Sequence, residues 1–568
     1  MTRRKLRSNF ERGTYRWAVR RAQWRALGIG DEDLEKPKIA VVNSSSGLAS
    51  CFSHLDDVAA VVKDAIRAAG GLPFEIRTAA PADFITSAGR GGGYVLAARD
   101  LIPNDIEVAV EGALLDGMVC LASCDKTAPG QLMAAARLNI PSLVVACGYQ
   151  ASGEYRGRHV DIEDVFLHSM HVASGRVSVE ELEGMSANAI RSPGVCSGMG
   201  TANTMHAVCE ALGMALAGTT PVAALSPKMM ADARRAGERI VAMVWEDLKP
   251  RDILTPAAFA NAVKTVLAAA GSINAIKHLQ AIAAEAEVPV DVYGLFDEWC
   301  DKVPVLCAVR PNGEHTIEQF EAAGGTRSLM KRLEPLLDLG ARTVDGRTLG
   351  ENLAGHAVAD EDVIRPLDRP FAARPAIVLL RGNLAPDYAV VKFGLSPDKA
   401  RRFIGPAIVF HSADEALAAL ARGRIRAGHV VVLRGLGPCG TPGMGMFSRV
   451  VFALDGAGLG ESIAVVADGQ QSGLVNKGLV VAEVSPGAAE GGPLALVEDG
   501  DRIEIDVGAR RLELKVPEAV LAARAERAWR APAREERGWL GIYRRNVSPL
   551  RQGAVLTAAP PESGLNRP

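Results

Sequence analysis

The sequence predicts an α/β fold: an N-terminal doubly wound parallel sheet followed by a C-terminal β-barrel-like domain. In the first 220 residues, short apolar strands alternate with segments of helical periodicity, which is typical of a parallel sheet covered by helices. Beyond residue 375, short apolar strands are separated by glycine-rich turns. A stretch with three prolines at 364–375 separates the two patterns, so we predict domains at 1–365 and 366–568.

Each element of the first part follows from the spacing of its apolar residues. Uninterrupted apolar runs predict strands at 38–43, 118–122 and 142–146. Apolar residues three or four positions apart predict helices at 55–69, 105–115, 131–138 and 203–215. The region 218–356 is predicted to be mainly helical.

The second part is predicted to be rich in strands. Apolar runs between turns predict strands at 376–380, 429–433, 462–467, 479–484 and 502–507. A charged helix at 518–529 and a C-terminal tail complete the prediction.

Composition excludes several classes of protein. The chain has 568 residues, with 64 Lys and Arg against 66 Asp and Glu, a balance that argues against a nucleic-acid or anionic-membrane binder. Its apolar runs are shorter than the ~20 residues of a membrane helix. The first 25 residues lack the apolar segment of a signal peptide, and nine scattered cysteines are not a disulfide framework. We therefore expect a cytoplasmic protein with reduced thiols.

Three cysteines stand where ligands bind in open α/β sheets. Cys51 follows the strand at 38–43, Cys124 follows the strand at 118–122, and Cys196 lies in a glycine-rich loop before a helix. Because the carboxyl ends of parallel strands share one edge, the three thiols could meet. A single buried cysteine is more often a packing residue. We give that interpretation to the cysteines within apolar stretches: Cys120, Cys147, Cys209, Cys300 and Cys307.

Several segments resemble the dihydroxy-acid dehydratase and sugar-acid (aldonate, 6-phosphogluconate) dehydratase family. They are CDKTAPGQLMAAARLNIPSLVVACG at 124–148, GVCSGMGTANTMHAVCEALGMAL at 194–216, SCFSHLDD at 50–57, LRGNLAPDYAVVK at 380–392 and VSPGAAEGGPLALVEDGDRIEIDV at 484–507. The resemblance covers about residues 7–548. It implies an N-terminal α/β domain, a C-terminal β-barrel-like domain, and an active site between them near a dimer interface.

The resemblance also implies cofactors and a base. Three cysteines of the family hold an iron–sulfur cluster, commonly [2Fe–2S], and they correspond to Cys51, Cys124 and Cys196. Three thiolates leave one iron position open, which makes that iron a Lewis acid. The family's Mg²⁺ (or Mn²⁺) ligands correspond to Asp83, Asp125 and a carbamylated Lys126. The family's base is a serine in a DGRxSG-type turn, and Ser472 matches it. A serine can act as a base only beside cations that stabilise its alkoxide.

The sequence departs from the family pattern around the metal and the substrate. Met446 stands where the family has a metal-binding Glu, and a thioether does not suit Mg²⁺. Cys439 replaces a lysine of the same loop. Its thiol either packs against other side chains or lies near the cluster. The family's DGIxMGHxGM-type stretch has become DFITSAGRGGGYVLAARD at 83–100. These changes leave the fold prediction unaffected and bear on activity.

Two other features allow alternative interpretations. Residues 435–440 fit GxGxxG after a strand, as in dinucleotide sites, but Thr441-Pro442-Gly443 follows where the phosphate-binding helix should begin. His54, three residues after Cys51 at a helix start, either orients a cluster loop or carries a proton, or it is a capping or packing residue.

From these observations we expect a hydro-lyase that converts a 2,3-dihydroxy carboxylate to a 2-keto-3-deoxy acid. Because the substrate-facing segments diverge from the branched-chain pattern, an aldonic (sugar) acid is the expected substrate. The alternatives are a branched-chain 2,3-dihydroxy-3-methyl acid, or a degenerate relative that binds ligands without converting them. The expected partners are this small hydroxy acid and further copies of the chain, as a homodimer or homotetramer, with no nucleic acid or membrane.

Overall fold

A four-stranded parallel sheet forms the centre of the N-terminal part. The computed structural model describes residues 4–395, 400–532 and 536–556. The sheet strands are β1 (Lys38–Asn43), β2 (Leu72–Arg77), β3 (Gly117–Ala122) and β4 (Ser142–Ala146), in the order β2-β1-β3-β4. The chain runs outward from β1 in one direction and from β3 in the other, so the order reverses between these two strands. Ligands bind at such a reversal, outside the carboxyl ends of the strands.

Helices cover the sheet and fill most of the remaining N-terminal part. They are α1 (Tyr15–Ala26), α2 (Leu55–Ala68), α3 (Asp83–Thr86), α4 (Gly93–Val110), α5 (Thr127–Leu138), α6 (Ile162–Ser169), α7 (Val179–Asn188), α8 (Thr201–Ala211), α9 (Pro227–Glu246), α10 (Pro250–Ile253), α11 (Pro256–Ala268), α12 (Asn274–Ala286), α13 (Val292–Trp299), α14 (Ile317–Ala322), α15 (Gly325–Leu333) and α16 (Leu349–Leu353). Helix α2 packs against α9, and α4 packs against α5. A short hairpin, β5 (Gly153–Tyr155) and β6 (Arg158–Val160), precedes α6.

The helix predicted at 105–115 differs from the structure. Helix α4 begins at Gly93 and ends at Val110, with Pro103 inside it. Glycines at 91–93 hide the start in the sequence, and Gly92 at the cap has the left-handed φ of +85°. The helix continues through Pro103 because Val95, Ile102 and Ile106 are buried at helical spacing.

The C-terminal part is a closed eight-stranded barrel, as its apolar runs predict. Its strands are β7 (Ile377–Gly382), β8 (Ala385–Lys392), β9 (Arg402–Phe410), β10 (Val430–Leu433), β11 (Ala464–Ala467), β12 (Leu479–Ser485), β13 (Arg502–Asp506) and β14 (Arg511–Leu514). Their order around the barrel is β10-β11-β12-β8-β7-β14-β13-β9. The accompanying helices are α17 (Ala413–Ala421), α18 (Ser448–Gly456), α19 (Glu518–Ala525) and α20 (Gly538–Asn546).

Strand β10 of the barrel is apolar on both faces. Val430 and Val432 belong to the cluster that fills the barrel, whereas Val431 and Leu433 belong to the core shared with the N-terminal part. Successive side chains point to opposite faces of a strand, so the outer face of β10 packs onto its neighbours. This packing joins the two parts of the molecule.

Some predicted boundaries in the second part also change. The helix predicted at 518–529 ends at Ala525, and the predicted tail includes α20, with residues 557–568 outside the described ranges. The domain boundary at 365/366 falls between α16 and β7 and stays a prediction. None of the helices in the described ranges combines the length and apolar character needed to cross a membrane.

Candidate active site

A cavity of about 500 Å³ lies at the carboxyl ends of the parallel strands, where the strand order reverses between β1 and β3. Residues from both parts of the molecule line it. Six of the seven predicted site residues are among them: Cys51, Asp83, Cys124, Asp125, Cys196 and Ser472. The seventh, Lys126, is fully buried and bonded to Asp83. The fold therefore brings together residues that lie up to 421 positions apart in the sequence.

Buried hydrogen bonds hold the three cysteine loops. The Ser123 hydroxyl donates to the Cys51 carbonyl, which ties the loop after β1 to the loop after β3. The Thr127 hydroxyl donates to the Cys124 carbonyl at 2.9 Å. On the third loop, the Asn203 amide of α8 donates to the carbonyls of Cys196 and Gly198, at 2.8 Å each. Each loop thus has a fixed backbone, which is what a rigid ligand set requires.

The three thiols lie close enough to influence one another. A hydrogen bond with Cys124 and burial raise the pKa of Cys51, and the charges of Cys124 and Cys196 raise it further. Burial, followed by the charge of Cys124, raises the pKa of Cys196 well above its usual value. Three thiolates could share this space only with cations between them. A thiolate set of this kind suits an iron–sulfur cluster.

Asp83, Asp125 and Lys126 form a second group beside the thiols. Lys126 Nζ lies 2.8 Å from Asp83 Oδ2 and 4.0 Å from Asp125 Oδ2. The carboxylate side chains keep 15% and 17% of their surface exposed, whereas Lys126 has none. Burial and the neighbouring Asp83 raise the pKa of Asp125 to about 7. Asp83 Oδ1 is buried without a hydrogen-bond partner among the described residues. Two carboxylates against one lysine, with an unpaired oxygen, fit a hard divalent cation.

Ser472 lies in a turn that the barrel holds against α8. Its N–H donates to Ser448 Oγ at 2.8 Å, and its Oγ accepts from the Leu474 N–H at 3.3 Å. The next residue is a glycine because a Cβ at Gly473 would lie 2.4 Å from Ser272 Oγ. Lys392 Nζ donates to the Gly473 carbonyl at 2.5 Å. These contacts fix the turn from which Ser472 lines the cavity.

The structure decides between the alternative interpretations of two features. His54 Nε2 lies 2.6 Å from the Cys147 carbonyl oxygen, so this buried ring anchors a loop and does not line the cavity. The N–H groups of Gly435 and Leu436, in the GxGxxG-like loop, donate to the Asp468 carboxylate at 3.0 and 2.8 Å. These two N–H groups are therefore not free for a phosphate, and the loop instead supports the turn that carries Ser472.

The two replacements in the 437–446 loop have different surroundings. Met446 lines the cavity together with Asp83 and Asp125, and its backbone bridges to Gln470. Cys439 packs against the cluster that contains Leu96 and Tyr543 and does not line the cavity. Met446 therefore occupies a position from which a carboxylate could reach the cation site.

Sequence reasoning missed a buried polar chain behind the cavity. Thr201 hydrogen-bonds Asp125, and the Asn274 amide donates to Thr201 Oγ1 at 3.0 Å and to the Gln471 carbonyl at 3.2 Å. Lys277 contacts Asn274 Oδ1 and pairs with Glu483 at 2.5 Å. A lysine in NAIKHL and a glutamate inside the apolar strand LVVAEVS were the signals available in the sequence.

Comparison with known proteins assigns the chain to a family of enzymes. The dihydroxy-acid/6-phosphogluconate dehydratase N-terminal family model matches residues 36–352, and the C-terminal model of the same family matches residues 362–554. The chain belongs to this family and is a dehydratase, a carbon–oxygen hydro-lyase.

Similar proteins share nearly the whole chain. A dihydroxy-acid dehydratase of Caldicellulosiruptor saccharolyticus is 40% identical over 97% of this chain and 100% of its own length. Proteins of the same name from Pyrococcus abyssi and Roseiflexus castenholzii are 41% and 42% identical, over 95% and 94% of this chain and 98% and 96% of their own lengths.

Proposed function

We propose that this protein dehydrates a 2,3-dihydroxy carboxylate of the branched-chain type to a 2-keto acid. The convergence of three thiols, two carboxylates and Ser472 on one cavity is the observation that carries the proposal. The names of the relatives favour a branched-chain acid over the aldonic acid that the diverged loops suggested.

Within this proposal the residues have separate tasks. Cys51, Cys124 and Cys196 would hold a [2Fe–2S] cluster through their thiolates. Asp83, Asp125 and Lys126 would hold Mg²⁺ or Mn²⁺, with Lys126 carbamylated, because an ammonium would repel the ion and a carbamate adds an oxygen donor. When bound, the cluster and the ion supply the Lewis acidity that the loss of a hydroxyl requires.

Ser472 would act as the base. It would take the proton from C2 of the substrate while the hydroxyl at C3 leaves, and would then pass that proton to the departing hydroxide to give water. The resulting enol would lose its hydroxyl proton and gain one at C3, which gives the 2-keto acid. The turn around Ser472 is held by Ser448 and Lys392, so the hydroxyl is positioned before the substrate arrives.

The test is turnover by anaerobically reconstituted enzyme. Protein supplied with iron, sulfide and Mg²⁺ should form 2-keto acid from 2,3-dihydroxy-3-methylbutanoate faster than from aldonates. Faster turnover of an aldonate would restore the sugar-acid interpretation. Turnover of neither, with the cluster present, would contradict the proposal. Light scattering of the same sample should show the homodimer or homotetramer that we expect.

A further inference from the structure

Much of the cavity lining away from the thiols and carboxylates is apolar. Large hydrophobic side chains come from α3, α6 and two loops: Phe84, Ile85, Ile162, Phe166, Ile190 and Leu474. None of the described residues that line the cavity is an arginine, a lysine or a histidine. A phosphate would therefore find no cationic side chain in the lining, whereas the uncharged polar side chains there, apart from Ser472, are few: Ser50, Ser87, Gln150 and Thr201.

Aromatic packing makes this apolar surface rigid. The Phe84 and Phe166 rings meet edge to face with centroids 5.3 Å apart, and Phe166 meets Phe452 in the same way at 5.0 Å. Phe452 is 1% exposed and belongs to the main core. The apolar surface is thus anchored before a ligand binds, which lowers the entropy cost of binding.

The apolar surface continues to solvent. Leu48, Ile85 and Ile190 line the cavity and remain 58%, 49% and 38% exposed. Large exposed hydrophobic side chains grouped at one opening are typical of a ligand-binding groove. The cluster and the ion would share the cavity of about 500 Å³ with the substrate, so room for a larger substituent lies along the apolar surface toward the opening.

We propose that the preferred substrate carries at C3 a hydrophobic substituent larger than methyl or ethyl, such as a longer alkyl chain or an aryl group. The inference rests on the proposed dehydration, since it assigns the 2,3-dihydroxy carboxylate to the polar groups. The substituent lies along Phe84, Phe166 and Ile190 and extends toward the opening.

The experiment is a substrate series on the reconstituted holoenzyme, with C3 methyl, propyl, pentyl and phenyl groups on one 2,3-dihydroxy acid scaffold. Because burial of one methylene is worth about fourfold, kcat/KM should rise by about that factor per methylene up to pentyl. A kcat/KM that is highest for the methyl substrate and falls with length overturns the inference and leaves the dehydratase proposal intact.

Calorimetry separates failure of the inference from failure of the proposed function. The 2-hydroxy acids that lack the 3-hydroxyl cannot be dehydrated, and their affinities should rise along the same series. If no substrate turns over, the function fails, and this binding series still decides the inference. Affinities that do not depend on chain length overturn it.

A rim substitution tests where the substituent lies. Ile190→Ser, at an exposed position that should fold, is expected to lower the pentyl-to-methyl ratio of kcat/KM at least threefold. The matched control is Ile404→Ser, at a 41% exposed isoleucine on β9 that does not line the cavity, and it should keep the ratio. If Ile190→Ser keeps the ratio and instead splits the oligomer, the rim is a subunit interface and the inference is wrong.

Discussion

Lys126 and Lys277 are both fully buried, and both pair with carboxylates, but their surroundings differ. Lys126 faces Asp83 and Asp125, whose side chains reach the cavity. Lys277, on α12, pairs with Glu483 of the barrel strand β12, and both side chains have no exposed surface. Lys126, Asp83 and Asp125 form a group that opens to the cavity and has an excess of negative charge. Lys277 and Glu483 form a balanced pair between the two parts of the molecule.

The pKa of each lysine reflects this difference. Burial would lower the pKa of Lys126, but Asp83 and Asp125 outweigh it and raise the pKa. Burial lowers the pKa of Lys277, with Glu483 opposing the effect and the nearby Lys126 adding to it. An excess of carboxylate can recruit a cation, whereas a balanced buried pair can only hold the structure together. The predictions below test this distinction, from the largest expected effect to the smallest.

The largest effect is expected at the three thiols that lie beside Asp83, Asp125 and Lys126. Cys124→Ser should remove the colour, the iron and the inorganic sulfide of anaerobically purified protein, together with all turnover, because one of three cluster ligands is lost. Absorption spectra and metal analysis check this. Cys300→Ser, at a buried cysteine outside the cavity, should keep full colour. Full colour in Cys124→Ser would remove Cys124 from the ligand set.

Ser472→Ala should lower kcat by about 10²–10⁴-fold, the usual contribution of a general base. Cluster content should not change and the unfolding midpoint should change little, because apart from the proton acceptor only the 3.3 Å hydrogen bond from the Leu474 N–H is lost. Steady-state kinetics with metal analysis on the same sample make the measurement. Turnover close to that of the unaltered protein would place the base on another residue.

Breaking the balanced pair of Lys277 and Glu483 should destabilise the fold more than breaking the pair of Lys126 and Asp83. Glu483→Gln leaves the Lys277 charge buried without a counter-charge, which typically costs about 3–5 kcal/mol. In metal-free protein, in which Lys126 is a free amine and not a carbamate, Asp83→Asn should cost less, because Lys126 retains Asp125 and the group reaches the cavity. Urea unfolding followed by circular dichroism compares the two.

The double variant Lys277→Met with Glu483→Leu is the control for that prediction. It removes both charges and should recover most of the lost stability. An equal loss in Glu483→Gln and Asp83→Asn would show that the two lysines have equivalent surroundings and would remove the distinction.

The smallest effect concerns the cation. Met446→Glu adds a carboxylate beside Asp83 and Asp125 and should lower the Mg²⁺ concentration for half-maximal activity by about tenfold, since hard-ion affinity follows ligand charge and number. Met446→Gln, of similar size and uncharged, should change it little. Metal titrations of both variants make the comparison. No difference between them would mean that residue 446 does not reach the ion.

Much of the fold could be predicted from local patterns. The strand and helix alternation, and the barrel as a class, follow from apolar spacing that each segment carries in its own sequence. Strands β8, β9 and β14 escaped that reasoning because they contain prolines, glycine or charged residues. These strands form because their backbones pair with neighbouring strands of the barrel. In β9, for example, Gly405 pairs with Ile503 of β13.

The sequence by itself determined several of the residues that could do chemistry, because Cys51, Cys124, Asp125 and Lys126 follow strands whose carboxyl ends must share an edge. Only the tertiary structure decided which distant side chains contact one another. Lys277 meets Glu483 across 206 positions, and the apolar side chains of α3 and α6 form one surface with Leu474 of the Ser472 turn. Such contacts depend on how the barrel docks onto the parallel sheet. No local spacing encodes that docking, because it arises from long-range packing of two apolar faces.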